Sequence, residues 1–293
     1  MREAGLALAP HEVTVERREE RWAVSLPADR IAWFPASAQG HRRLATERRV
    51  LRLLADRCSF AVPRVLYQSP SGYDVRAIVP GSSEPWGLFA QIKTDAALAR
   101  AIGRAVGQIL VEQHTRIARP DVAGWLPACP AWPEPSSWIR EQLPHVVDDS
   151  ALVATIENAL AAYARVAVEP ADQVLVHADL GLHNLAIDPI SKDVRGVFDY
   201  DGAAWADRHH DFRYLVLLFD EEALFETARA VYEPAVGRAL SVARVWLYNA
   251  VCAISFLASR RGVPPGARPC GRTLDEDLAW VRGALARLDR INR

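Results

Sequence analysis

Two short stretches of the chain carry residue types that could do chemistry together. One is His177-Ala178-Asp179-Leu180-Gly181-Leu182-His183-Asn184; the other is Asp199-Tyr200-Asp201-Gly202. Each follows an apolar run, Val174-Leu175-Val176 before the first and Val194 to Phe198 before the second. Runs of that length bounded by polar residues suit buried strands. Two strands ending in carboxylates, with an amide five residues after the first carboxylate, form a minimal kit for phosphoryl transfer. Asp179 can orient an attacking hydroxyl and accept its proton, while Asn184 and Asp199 offer hard oxygens to a divalent cation. Magnesium suits this set, because it takes few protein ligands and the rest from phosphate and water.

The same residues resemble a known family. His177-x-Asp179-x-x-x-x-Asn184 resembles the catalytic loop of the aminoglycoside phosphotransferases and related protein-kinase-like small-molecule kinases. Phe198-Asp199-Tyr200 resembles their metal-binding segment, and Ala206-Asp207-Arg208-His209-His210-Asp211 is similar to the loop that opens their next helix. The resemblance implies Asp179 as catalytic base, Asn184 and Asp199 as Mg2+ ligands, and ATP or GTP as phosphoryl donor. It also implies that His177 holds the loop backbone and that Asp211 is structural, accepting backbone amide bonds from the catalytic loop.

A second set of residues suggests different chemistry. His177, His183, His209 and His210 with neighbouring aspartates would be the material for a transition-metal hydrolase site. Their spacing argues against it: none forms a helical His-x-x-x-His pair, and adjacent side chains at His209 and His210 diverge.

Positioning such a site needs elements on both sides of it. In the N-terminal part, Glu12–Val15, Arg21–Leu26, Asp29–Phe34, Val62–Gln68 and Tyr73–Val79 read as strands, with Ser69-Pro70-Ser71-Gly72 as a turn. Leu44, Val50, Leu51 and Leu54 recur at helical spacing between Gln39 and Asp56, and Glu47 lies on that inward stripe. A carboxylate facing inward needs a partner. In the kinase-like fold that partner is a lysine on the preceding strand, which also holds nucleotide phosphates. Ile31-Ala32-Trp33-Phe34-Pro35 resembles the lysine-bearing strand, but its register puts Trp33 in the lysine's place, and no lysine occurs before Lys93. The turn Glu16-Arg17-Arg18-Glu19-Glu20 likewise has no glycine to bring backbone amides to a phosphate, although its arginines could compensate. Pro80-Gly81 resembles the family's hinge, which implies that the backbone of Ala77 and Ile78 meets an adenine edge.

C-terminal to this, Thr94–His114, Ala151–Val166, Ser241–Arg260 and Asp275–Leu288 read as helices, a further helix starts near Ser137, and an apolar helix begins at Asp211. The Arg119–Pro135 stretch, with Trp125 and Trp132, suits an ordered loop anchored by its tryptophans. His114 is read as a capping or packing residue. Asp148-Asp149 and the acidic cluster Asp220-Glu221-Glu222 with Glu226 could face a polycationic acceptor or simply begin helices.

The whole is expected to be an α+β bilobal kinase-like fold. Residues 1–79 would form a small antiparallel β lobe with one helix that binds nucleotide, and residues 80–293 a larger, mainly helical catalytic and substrate lobe. Composition agrees with a small-molecule partner. The 293 residues are 50% hydrophobic and carry a net charge of −1, so no basic field draws the chain to nucleic acid or to an anionic membrane. The four cysteines form no close pair and are expected to be reduced and mostly buried. The apolar run Val245–Ala258 is shorter than a membrane span needs and reads as a core helix. The expected activity is a cytoplasmic, Mg2+-dependent transfer of the γ-phosphate of ATP or GTP to a hydroxyl of a small molecule, with aminoglycoside-like antibiotics and other amino-alcohols as candidates. The alternative, carried by the missing lysine and glycines, is a catalytically inactive pseudokinase acting as a binding module.

Overall fold

The structure is a computed structural model and describes residues 5, 9–18, 20–217, 222–264 and 266–291. Its first part is an antiparallel sheet of β1 (Thr14–Arg18), β2 (Arg21–Leu26), β3 (Arg30–Pro35), β4 (Arg64–Gln68) and β5 (Asp74–Ala77), in the order β1-β2-β3-β5-β4. All five strands match the expected ones to within a few residues at each end. Period-two alternation gives the sheet two faces. One presents Leu26, Ala32, Tyr73 and Val75, closed by Phe34 stacked 4.6 Å from Tyr73. The other presents Ala23 and Trp33, which pack on Leu44 of helix α1 (Ala38–Arg57). Ser37 starts that helix by accepting the Gly40 amide at 3.0 Å, so the crossing between β3 and α1 is short and fixed.

The remainder is mainly helical: α2 (Pro85–Thr94), α3 (Ala96–Arg116), α4 (Arg119–Val122), α5 (Ser136–Gln142), α6 (Ser150–Ala164), α7 (His209–Leu217), α8 (Glu222–Val236), α9 (Val242–Ala258) and α10 (Leu274–Ile291). Helix α9 is the expected core helix, buried almost throughout from Val245 to Ala258. No described helix is long and apolar enough to cross a membrane. Helices α3 and α8 approach closely because Gly103 and Gly107 carry no side chain; a Cβ at Gly103 would lie 2.4 Å from the Leu224 carbonyl. The apolar run beginning at Asp211 is helical to Leu217, and α8 opens at Glu222. Of the cysteines described, Cys252 is buried and Cys58 half-buried, as expected, whereas Cys129 is exposed.

Two small antiparallel pairs carry the chemical stretches. β6 (Gln173–Val176) pairs with β9 (Ala204–Asp207), and β7 (Leu185–Ile187) pairs with β8 (Val194–Val197). The two apolar runs are strands, as expected, but they are not partners of each other. The two parts of the chain meet at Ala61, whose carbonyl accepts the Val197 amide at 3.0 Å, and Ser82, just after the first part, exchanges both backbone bonds with Ile187.

Candidate active site

Strand β6 delivers His177, and its ring joins the two chemical stretches. Its Nδ1 accepts the Asp179 amide at 3.2 Å, so Nε2 carries the proton and donates to the Phe198 carbonyl at 2.9 Å. Ala178 follows with φ at 68°, a left-handed conformation that costs a residue with a Cβ about 1–3 kcal/mol. Its amide donates to Asp211 at 2.8 Å and its carbonyl accepts from Arg213, so both polar groups of the strained residue are held. Asp211 also accepts from the His177 amide at 3.0 Å and from Gln113 at 2.8 Å, and it faces His114 at 3.1 Å. Burial alone would neutralise it, but the bonds and charge of His114 and the loop amides hold its carboxyl below the ordinary range.

This scaffold leaves the Asp179 side chain 39% exposed. Its Oδ2 accepts from Asn184 at 2.9 Å and faces His183 at 3.2 Å. Burial opposes its charge, yet hydrogen bonds from His183 and Tyr214 outweigh that and keep the carboxyl below its usual value. The same pairing lifts the His183 imidazole above its usual value against the pull of burial. Asn184 spends its amide nitrogen on the Asp179 side chain and, at 2.8 Å, on the Asp179 carbonyl, so its Oδ1 is the atom with which it can meet a cation.

Asp199, at the end of β8, also has a left-handed backbone, with φ at 69°. Its side chain is 35% exposed, and Oδ1 lies 2.6 Å from an Arg21 guanidinium nitrogen. The Asp199 carboxylate and the Asn184 Oδ1 are hard oxygens of the kind that would hold Mg2+, with phosphate and water completing its shell. Asp201 sits in the one-turn helix after Asp199, 3.1 Å from Arg21 and 3.2 Å from Arg43. Burial and the adjacent Asp199 charge push its carboxyl up to about 7 against those arginines.

Glu47 is 2% exposed and has two partners, Arg21 at 3.0 Å and Arg76 at 2.9 Å. Burial favours its neutral form, but the two arginines hold the carboxyl below its ordinary value. Arg76 in turn makes two bonds to Asp74, at 3.0 and 3.1 Å. Trp33, on β3, occupies the position where the sequence resemblance puts a lysine, paired with Ala23 of β2 and Asp74 of β5. The Arg21 guanidinium lies 4.2 Å from its ring centroid. Reading the sequence does not single out Arg21 or Arg76. The signal was period-two alternation, which puts Arg21 on the same sheet face as Ala23, and Arg76 on the face of Asp74.

Ala77 closes β5 and is paired on both sides, with Arg30 and Arg64. The Ile78 amide donates to the Asp29 carbonyl at 2.9 Å, while its side chain is exposed. The histidines have separate structural partners. His209 pairs with Asp207 at 2.5 Å and accepts the Ser241 amide at 3.0 Å; His210 accepts from Arg213 and stacks 4.3 Å from Tyr248. His114 joins Tyr232, at 2.8 Å, to Asp211. Among the described residues, no three His, Cys, Asp or Glu side chains are grouped to hold a metal. Asp220 and Glu221 lie outside the described residues. Glu222, Glu226 and Asp149 each pair with an arginine, at 2.5 Å to Arg287, 2.6 Å to Arg229 and 2.7 Å to Arg282. Trp125 is an anchor, donating to the Asp121 carbonyl at 3.1 Å beneath Arg49.

Known proteins share this fold. The chain superposes on APH(2")-IIia in complex with GDP and kanamycin, with a TM-score of 0.68 at 17% identity, covering 97% of this chain and 94% of that one. It superposes on the macrolide 2'-phosphotransferase MphH from Brachybacterium faecium with a TM-score of 0.63 at 19% identity, covering 98% and 96%. The streptomycin–ATP–APH(2")-IIa ternary complex matches with a TM-score of 0.64 at 15% identity, covering 86% and 89%. A comparison with curated protein sequences returns no match. The model of the phosphotransferase enzyme family, APH, matches residues 13–246. With most of its length matched, on a bilobal kinase-like fold, the chain belongs to the phosphotransferase enzyme family.

Proposed function

We propose that the chain transfers the γ-phosphate of ATP or GTP to a hydroxyl of a small molecule in a Mg2+-dependent reaction. Residues 1–79 serve as the nucleotide lobe and residues 80–293 as the catalytic and acceptor lobe. The observation that carries the reading is the pair of part-exposed carboxylates, Asp179 and Asp199, at the ends of two short strands. Asp179 is aimed by His183 and Asn184, and Asp199 is already engaged with a cationic group. Asp179 aligns the acceptor hydroxyl and takes its proton; Asn184 and Asp199 hold the metal, which neutralises phosphate charge when bound. Glu47 anchors the cationic side of the site, and Ala77 and Ile78 border the base, Ile78 through groups other than its amide, which donates to the Asp29 carbonyl.

On the acceptor side, Tyr214 reaches Asp179 and lies 3.7 Å from Cys252. Trp132, Phe256 and Trp280 continue from there, with ring centroids 4.9 and 5.7 Å apart. This aromatic wall and the arginine-paired state of Glu222, Glu226 and Asp149 favour an acceptor with an apolar face over a bare polycation. An acceptor screen therefore begins with macrolides and other hydroxylated apolar antibiotics, alongside aminoglycosides and amino-alcohols. The first experiment is thermal stabilisation by ATP and GTP, each with and without Mg2+. A ligand at 100 times its dissociation constant should add roughly 2.7 kcal/mol. Stabilisation followed by phosphate transfer to an acceptor supports the reading. Stabilisation without transfer to any acceptor favours the binding-module alternative, and no response to either nucleotide refutes phosphotransfer.

A further inference from the structure

The nucleotide side of the site lacks the two devices that usually hold phosphates. Trp33 fills the expected lysine position, and the hairpin between β1 and β2 is tight, with Arg18 paired directly to Arg21 and no glycine between them. Without a glycine, that turn has no residue suited to the left-handed backbone of a phosphate-cradling loop. What the structure puts in their place is a guanidinium on the neighbouring strand. We propose that Arg21, seated on the Trp33 ring and forked between Glu47 and Asp199, is the phosphate-binding cation of the nucleotide site.

Three observations carry this, and it rests on the phosphotransfer reading above. First, the fork is divided: one terminal nitrogen of Arg21 bonds Glu47 at 3.0 Å, and the other reaches Asp199 at 2.6 Å and Asp201 at 3.1 Å. One end is tied to helix α1 while the other meets the part-exposed Asp199 carboxylate. Second, Glu47 does not depend on Arg21 alone. Arg76 holds its other oxygen at 2.9 Å and is itself braced by Asp74. Arg21 can therefore change partners without leaving a buried carboxylate unpaired. Third, the Trp33 ring, 4.2 Å away, is a floor for a planar cation. Arg18 approaches the same ring at 6.0 Å, so the aromatic residue that displaces the lysine also supports its replacement.

The charge balance of the cluster sets how it is used. Arg21 and Arg43 neutralise Asp199 and Asp201. A cation arriving alone would compete with Arg21 for Asp199, and a polyphosphate alone would compete with Asp199 for Arg21. Arriving together they exchange partners, with metal on Asp199 and phosphate on Arg21. Binding of Mg2+ and nucleotide is thus expected to be strongly cooperative.

The test measures dissociation constants of the full chain for ATP and ADP with Mg2+, and for adenosine, with the guanine series in parallel. Arg21→Met keeps an unbranched apolar stem and should weaken Mg-ATP at least tenfold, leaving adenosine within twofold. Adding Trp33→Lys to that variant moves the cation to the neighbouring strand and should recover most of the loss. In the unaltered protein, the side-chain nitrogen resonance of Arg21 should move on adding Mg-ATP and stay in place with adenosine; this measurement stands even if Arg21→Met fails to fold. Mg-ATP binding within twofold of wild type in Arg21→Met, or an Arg21 resonance indifferent to phosphate, overturns the proposal while phosphotransfer survives. A wild-type chain that binds no nucleotide overturns both.

Discussion

Asp211→Asn tests whether the catalytic loop is held as the geometry indicates. The carboxylate is fully buried and takes four contacts. Oδ2 meets the His177 amide at 3.0 Å, Gln113 at 2.8 Å and His114 at 3.1 Å, and Oδ1 accepts the Ala178 amide at 2.8 Å. An asparagine best keeps its oxygen at the three-donor position. Its NH2 then faces the Ala178 amide, donor against donor, and that buried amide loses its acceptor at about 1–3 kcal/mol. The remaining bonds lose their charge assistance, worth roughly 1 kcal/mol or more among them. The sum is about 2–4 kcal/mol, a large share of the 5–15 kcal/mol typical of a folded protein. At roughly 2–4 °C per kcal/mol for a chain of this size, the thermal midpoint should fall by about 10 °C. Differential scanning calorimetry on the variant, with near-UV dichroism to confirm native packing below the transition, reads this directly. A midpoint within a degree of wild type would show that the loop does not depend on Asp211, and the account of Ala178's strained backbone would fail with it.

Asp179→Asn should leave Mg-nucleotide affinity within a few-fold of wild type and lower turnover by roughly 10²–10⁴, the span a positioned proton acceptor contributes; wild-type turnover would remove it as base. Asp199→Ala should abolish the Mg2+-dependent part of nucleotide binding, read by calorimetry with and without the metal. Gly40→Ala improves helix propensity by about 1 kcal/mol, but its Cβ would lie 2.1 Å from the Glu20 carbonyl, and overpacking against backbone costs about 1–3 kcal/mol. Net destabilisation is expected, and a stabilised variant would contradict the close approach of α1 to the hairpin. Burial, reinforced by the Arg213 charge, pushes the His210 imidazole down to about 3. The folded state thus refuses a proton that the unfolded chain binds below about 6.5, and stability falls as pH drops through that window, by ~2 kcal/mol at pH 5. His210→Gln should show that much less acid loss between pH 7 and 5 in denaturant titrations; an identical loss would clear His210 of the effect.

Local pattern made much of this molecule legible. The five N-terminal strands, helix α1 with Glu47 on its inner stripe, and the core helix α9 follow from alternation and helical spacing, because burial on one face imposes those periods. The motif around Asp179, Asn184 and Asp199 was visible for a related reason: short apolar strands must deliver polar residues at their ends. What the chain does not show locally is pairing. The apolar runs before Asp179 and Asp199 join different small sheets, a matter of register between segments distant in sequence. The partner of Glu47 was expected on β3 and is found on β2 and β5, because Arg21, Trp33 and Arg76 meet only once the strands lie side by side. The sequence by itself determined the elements and the reaction class; the tertiary structure decided which cation faces Asp199. Charge compensation in a buried site depends on distance through space, and that is set by packing.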